Sequence, residues 1–261
     1  AMSAPRGIVF DMEGVLHVGY QPLPGAKEAL AALDAAGVPH VILTNTTSKT
    51  RATIAQRLVQ IGMPYDAERI VTAASATVQF LRRRHLGKRV LMLAEQAAFD
   101  EVAAAGGIEL VERWQDAEVV CLGGPDESIT YSHMQDAFRA LMEGVPFVAM
   151  QRNRWWPTPD GPGLDAGVFV KGLEYSSGRR ATIIGKPAAG AYRAALQVLG
   201  AKAADAMMVG DDPVADLVTA HRLGMQTCVV RTGKGLTFPA PWPGADLDLP
   251  SVGDLPGALG L

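Results

Sequence analysis

Only two cysteines occur in 261 residues, Cys121 and Cys228, and they are too few and too isolated for a disulfide framework. Neither has the CxxC or Cys/His company that zinc requires, so both read as core thiols in a reducing compartment. Basic residues are not in excess: 24 Lys and Arg against 27 Asp and Glu leave a formal net charge of -3. Without a broad positive field, nucleic acid is not an expected partner. No apolar run approaches the roughly 18 residues of a spanning helix, and the amino terminus lacks the basic, apolar, small-residue order of a signal peptide. These absences point to a cytoplasmic chain with no membrane partner. No internal repeat is visible. The composition, 48% hydrophobic and 20% charged, suits a globular chain with one large or two modest domains.

What the chain does carry is a carboxylate at a strand end. Asp11 closes the apolar run Gly7-Ile8-Val9-Phe10 and precedes Met12-Glu13-Gly14-Val15, so it sits where a buried strand meets a glycine turn. Open α/β sheets bind their ligands at the carboxyl ends of strands. Asp11 and Glu13 could there attack and shuttle protons, or Asp11 could merely cap the turn. A helix over 24–36, stopped by Gly37, and an apolar strand over 38–43 complete a βαβ unit. Its right-handed crossover makes the strands parallel and brings Thr44 and Asn45 to the same sheet edge as Asp11. Thr44 is then either a ligand-binding hydroxyl or a turn residue, with Thr46, Thr47 and Ser48 as neighbours offering the same group. Ser48 is placed to cap a helix running to Ile61, and a strand over 70–72 with a helix toward Leu81 follows.

From about residue 88 the pattern restarts, with strands at 90–93, 108–111, 119–122 and 147–150 and helices from 95 and over 131–142. The stretch 153–163, containing Trp155-Trp156, three prolines and two glycines, reads as a loop before the segment 168–175. After Gly178 the first style resumes. Ile183-Ile184-Gly185-Lys186-Pro187 precedes a helix to Leu199, a strand over 206–209 runs into Gly210-Asp211-Asp212, a helix reaches Leu223, and a strand covers 225–230. The tail from Phe238, rich in proline and glycine, is expected to be loosely structured. The simplest architecture is α/β: a doubly wound, Rossmann-like parallel sheet from residues 1–79 and 180–261, with a smaller α/β domain inserted over 80–179.

Asp211, Asp212 and Asp216 lie at another strand end, where adjacent carboxylates repel unless a cation or a proton relieves them. A solvated helix start is the plainer alternative. Oxygen ligands suit magnesium far better than zinc or copper. Lys186 is either a solvated lysine or the cation that a phosphoryl group among carboxylates needs.

In the order Asp11-x-Glu13-Gly14-Val15, Thr44-Asn45, Lys186-Pro187 and Gly210-Asp211-(four residues)-Asp216, the chain resembles the haloacid dehalogenase superfamily of phosphatases. The insertion point and Leu43-Thr44-Asn45-Thr46-Thr47 resemble its subfamily IIA. At a finer level Gly172-Leu173-Glu174-Tyr175, Gly210-Asp211-Asp212 and Arg231-Thr232-Gly233-Lys234 resemble the branch of that subfamily that holds the phospholysine phosphohistidine inorganic pyrophosphate phosphatases and the haloacid dehalogenase-like hydrolase domain-containing 2 proteins. The resemblance implies a phosphohydrolase of small phosphorylated metabolites or pyrophosphate, working through an aspartyl-phosphate at Asp11. It implies magnesium held by Asp11, the backbone carbonyl of Glu13 and Asp211, with Asp216 as a further ligand or anchor and Asp212 nearby. Thr44 and Lys186 would bind the transferring oxygens, and Asn45 would help.

Glu13 stands where most of these phosphatases have Asp as acid/base, so it is either a working acid/base with a longer arm or a structural remnant. The insertion would be a type C2 cap that sets specificity, and such caps often pair into homodimers. Arg154 could meet a substrate anion there; Trp155 and Trp156 line a pocket or pack the cap or a dimer surface. His17 either touches substrate or packs the turn, and Arg82, Arg83 and Arg84 form a solvated helix end. Two rival readings share these residues. One is a phosphoacceptor regulatory domain, against which the large insertion argues; the other is an impaired relative that only binds phosphorylated ligands.

Overall fold

A computed structural model of the chain describes residues 5–124, 126–158 and 160–261. It forms two compact units. The first takes the chain up to Thr44, Arg51–Val71 and Lys186–Leu261; the second takes Asn45–Thr50 and Thr72–Gly185.

The chain begins with strand β1 (Gly7–Phe10), a short hairpin of β2 (His17–Val18) and β3 (Gln21–Pro22), helix α1 (Ala26–Ala35), β4 (His40–Thr44), α2 (Arg51–Gln60) and β5 (Ile70–Thr72). Every residue of β1 and β4 is buried, as expected of strands covered on both faces. α1 buries Ala26, Ala29, Leu30 and Leu33, one stripe at helical spacing. α2 starts at Arg51, later than a cap at Ser48 would start it, because Asn45–Thr50 runs with the second unit.

Within the second unit come α3 (Ala73–Arg84), β6 (Arg89–Leu93), α4 (Gln96–Ala105), β7 (Glu109–Val111), β8 (Val119–Leu122), α5 (Tyr131–Met142) and β9 (Phe147–Ala149). A hairpin of β10 (Trp155–Thr158) and β11 (Gly161–Leu164), helix α6 (Ala166–Ser177) and β12 (Thr182–Ile183) complete it. Its sheet has the order β12-β9-β8-β6-β7. Its core gathers Leu91, Leu93, Val120, Leu122, Leu141, Phe147 and Val170. α3 starts from a reciprocal Thr72–Ser75 cap and packs against α4, so it belongs with the inserted unit.

Back in the first unit are α7 (Ala189–Leu199), β13 (Ala206–Gly210), a π-helical turn (Pro213–Leu217), α8 (Val218–Arg222), β14 (Gln226–Val230), β15 (Leu247–Leu249) and α9 (Leu255–Leu259). The six-stranded sheet has the order β15-β14-β13-β1-β4-β5, with β1 parallel to both β13 and β4. The chain therefore winds one way from β1 through β4 and the other way through β13. Between β1 and β13 lies the switch point, where their carboxyl ends diverge into loops. Asp11 follows one of these strands and Asp211 the other.

Three expectations need correction. The stretch 153–163 is largely a hairpin: Trp155 pairs with Leu164 and Thr158 with Gly161, and a two-stranded ribbon tolerates prolines because both strands are edges. Residues 182–183 pair with β9 and so extend the second unit's sheet instead of resuming the first. The tail is ordered. β15 pairs with β14, Val252 and Leu255 are fully buried in the first core, and Arg231 donates to both oxygens of Asp248 and to the carbonyls of Gly235, Phe238 and Pro239. Cys121 and Cys228 are both free and buried, and burial pushes the Cys121 thiol up to about 12. Among the described residues no helix is long and apolar enough to cross a membrane.

Candidate active site

The sheet register sets the first geometry. Phe10 pairs with Val209 and with Ile42, so Asp11 stands level with Gly210 on one side and Leu43 on the other. The Asp11 N–H donates to the Val209 carbonyl at 2.9 Å, which carries the strand geometry into the turn. Thr44, at the end of β4, is buried one residue further along.

Lys186 enters from the loop before α7 and is 5% exposed. Its Nζ donates to Asp11 Oδ1 at 2.7 Å and to Asp216 Oδ1 at 2.7 Å, joining residues 175 and 30 positions away. Burial alone would lower the lysine's pKa, but the charges of Asp11 and Asp216 win and raise it. Asp216 reaches inward from the π-helical turn, a distortion that redirects side chains relative to a regular helix. The Tyr192 hydroxyl contacts the carbonyls of Ala215 and Asp216, at 2.7 and 2.9 Å, and pins that turn.

Oxygens of Asp11, Asp211 and Asp216 lie within 4.8 Å of one another. Asp211 is pushed upward by burial first and then by the charges of Asp11 and Asp216. Asp216 is raised by burial and Asp11, against the pull of Lys186. Three carboxylates share one buried ammonium, so the remaining charge must be relieved by a proton or by a further cation. The donor set is all oxygen, so it fits a hard divalent ion such as magnesium.

Three glycines make room for this cluster. A Cβ on Gly14, whose φ is +84°, would meet Asp211 Oδ2 at 2.1 Å; one on Gly233, at φ +51°, would meet the same oxygen at 2.1 Å; one on Gly210 would meet Asp216 Oδ2 at 2.5 Å. The loop after β14 adds the Lys234 N–H to Asp211 Oδ2 at 2.7 Å and the Thr232 hydroxyl to the Gly14 carbonyl at 2.6 Å. Sequence reasoning noted Arg231-Thr232-Gly233-Lys234 without assigning it work. Its signal was the glycine, whose missing side chain lets backbone approach a carboxylate.

The remaining candidates are arranged differently. Asp212 turns away from the triad: Oδ1 accepts from the Ala215 N–H at 3.1 Å and Oδ2 pairs with Lys234 Nζ at 3.2 Å. Glu13 folds over its own turn, with Oε1 accepting from the Gly19 N–H at 2.7 Å and Oε2 lying 3.1 Å from His17 Nδ1. His17 is fully buried, so it packs the turn. In the second unit, Asn45 Nδ2 donates to Asn153 Oδ1 at 3.4 Å, Arg154 and Trp155 are exposed, and the Trp156 side chain lies outside the described set. Arg82, Arg83 and Arg84 are exposed at the end of α3.

A doubly wound sheet with acidic residues and a buried lysine at its switch point, interrupted by an inserted α/β unit, is the plan of a haloacid dehalogenase-type hydrolase. The chain matches the family described as haloacid dehalogenase-like hydrolase over residues 8–108 and one described as HAD-hydrolase-like over residues 183–240. It is 32% identical to haloacid dehalogenase-like hydrolase domain-containing protein 2 of Homo sapiens, over 90% of this chain and 87% of that protein. It is 30% identical to the phospholysine phosphohistidine inorganic pyrophosphate phosphatase of Homo sapiens, over 89% of this chain and 85% of that protein. The p-nitrophenyl phosphatase from Archaeoglobus fulgidus shares the fold with a TM-score of 0.87 at 25% identity, covering 97% of this chain and 99% of that one. The chain belongs to the haloacid dehalogenase-like hydrolases, and it is an enzyme of their phosphohydrolase class.

Proposed function

We propose that the chain is a magnesium-dependent phosphatase that hydrolyses small phosphorylated metabolites or pyrophosphate through a phosphoaspartate at Asp11. The observation that carries the reading is the convergence of Asp11, Lys186, Asp211 and Asp216 at the switch point. Asp11 has the exposure and support to act as nucleophile: its carboxylate oxygen would bond to phosphorus as the leaving-group bond breaks, turning one hard displacement into two easier ones. The Lys186 ammonium, fixed by two carboxylates, would hold the phosphoryl oxygens where negative charge develops, with the Thr44 hydroxyl as second donor. Glu13 would exchange the proton with the leaving oxygen and then with the attacking water.

Asp11, Asp211 and Asp216, joined by the Glu13 carbonyl and with Asp212 at hand, would hold magnesium. Bound there, the ion offsets the repulsion between anionic nucleophile and anionic substrate. The inserted unit would act as a type C2 cap that selects the substrate, with Asn45 and Arg154 as its contacts. A cytoplasmic location, consistent with two free buried thiols, and a homodimer complete the reading.

Phosphate release from a panel of pyrophosphate, phosphoramidates, nucleotides, sugar phosphates and an aryl ester, with and without magnesium, tests the proposal. Native protein should turn over at least one class only with magnesium, and Asp11→Asn should abolish it. Turnover surviving in Asp11→Asn removes the proposed nucleophile, and a native protein inert across the panel leaves a binder.

A further inference from the structure

The turn after β1 carries a clamp on Glu13 that the reaction outlined above does not use. Glu13 has a longer arm than aspartate, and its side chain is 55% exposed, so on its own it would sample many poses at the cost of catalytic geometry. Two groups restrain it. The Gly19 N–H donates to Oε1 at 2.7 Å, and His17 Nδ1 stands 3.1 Å from Oε2.

His17 is itself unusually placed. It is fully buried, its Nε2 has no hydrogen-bond partner among the described residues, and its ring stacks on Tyr20 with centroids 4.6 Å apart. Tyr20 holds a φ of 63°, which is uncommon for a residue with a side chain, and the Arg57 guanidinium lies over its ring, 5.1 Å from the centroid. The Tyr20 N–H also faces Nδ1, at 3.2 Å, so that nitrogen can either accept from Tyr20 or donate to Glu13. Either tautomer leaves one N–H unpaired: the fully buried Nε2–H if Nδ1 accepts from Tyr20, or the part-buried Tyr20 N–H if Nδ1 carries the hydrogen. The second lies nearer solvent and costs less, which favours the hydrogen on Nδ1, facing Glu13.

We propose that His17, together with the Gly19 amide, is a positioning residue that holds the Glu13 carboxyl in the pose from which it exchanges a proton with the leaving group. This rests on the reading of Glu13 as acid/base. In the first step the Asp11 oxygen bonds to phosphorus, the bond from phosphorus to the leaving oxygen breaks with its electron pair on that oxygen, and Glu13 gives the oxygen its proton. In the second, the Glu13 carboxylate takes a proton from the water whose oxygen attacks phosphorus, and the pair of the broken bond returns to Asp11.

An alkyl phosphate needs that proton, whereas p-nitrophenolate leaves without it. The test compares magnesium-loaded native protein with Glu13→Gln, His17→Phe and His17→Asn, reading the kcat ratio of alkyl to p-nitrophenyl phosphate. Both rates come from one preparation, so any unfolded fraction cancels. His17→Phe should lower the ratio about tenfold or more, while His17→Asn, whose amide nitrogen can stand near the Nδ1 position, stays within about threefold of native. Equal losses in both His17 variants would mark a packing role and overturn the proposal, as would an unchanged ratio in His17→Phe. A Glu13→Gln ratio equal to native would instead remove the acid/base reading beneath it.

Discussion

Replacing Lys186 by methionine keeps the length of the side chain and deletes the one buried ammonium shared by Asp11 and Asp216. Both contacts are 2.7 Å long, and neither Lys186 nor Asp216 is more than 5% exposed, so solvent replaces little of what is lost. Removing one partner of a buried ion pair typically costs about 3–5 kcal/mol, because the other charge is left uncompensated. In a chain of this size that corresponds to a fall in melting temperature of roughly 6–20 °C. The sign with pH follows from the shifts. Lys186 is raised, so its stabilisation is present at every pH below its unfolded value and covers the neutral range. Once it is gone, the carboxylates can find relief only by protonation, so the loss should shrink toward acid pH. Loss of a donor to the developing charge should also cut kcat by about 100-fold or more. Thermal melts of metal-free Lys186→Met and native protein at neutral and mildly acid pH, with kcat on one ester, measure all three. A melting temperature within about 2 °C of native, together with kcat within about threefold, would refute the argument.

Gly14→Ala should weaken magnesium binding by about 10- to 100-fold, read by titration calorimetry. The new methyl would displace the Asp211 carboxylate from its Lys234 N–H bond and would sit at a left-handed φ. Asp211 and Asp216 are both raised, so the metal-free fold favours their protonated forms and loses stability as pH climbs from about 4 toward the Asp211 value of about 8. The melting-temperature gain on adding magnesium should therefore grow with pH across that window; a gain that is flat or falls would contradict the shared-charge picture. Arg231→Ala should cost about 2–3 kcal/mol by removing charged hydrogen bonds to Asp248 and three carbonyls, and hydrogen exchange should rise first over residues 235–249.

The site candidates were legible as a set: local pattern left Asp11, Lys186, Asp211 and Asp216 each with a plainer alternative, the family resemblance of their order gave them roles, and the parallel register brings them together. Less visible was anything that depends on a backbone group or on an absent side chain. The Lys234 amide, the Gly19 amide and the space left by Gly233 have no sequence signature beyond a glycine. Asp212 reads like Asp211 in sequence, yet its carboxylate caps the turn at Ala215, a distinction set by the π-helical turn. The hairpin at β10 and β11 was hidden by its prolines, and the ordered tail by its brevity. Three residues, Leu247-Asp248-Leu249, are too few for periodicity to register, and what holds them is an arginine 17 positions earlier.

That short last strand has a consequence for solubility. β14 is a run of buried residues, Thr227 to Val230, and without β15 its outer row of amides and carbonyls would be open to any other extended chain. β15 covers that row with three residues, one of them acidic and clasped by Arg231, and so presents neighbours with a margin too brief and too charged to extend. Cutting the polypeptide near residue 240 would strip that margin together with the buried Val252 and Leu255, and should yield a protein that clumps.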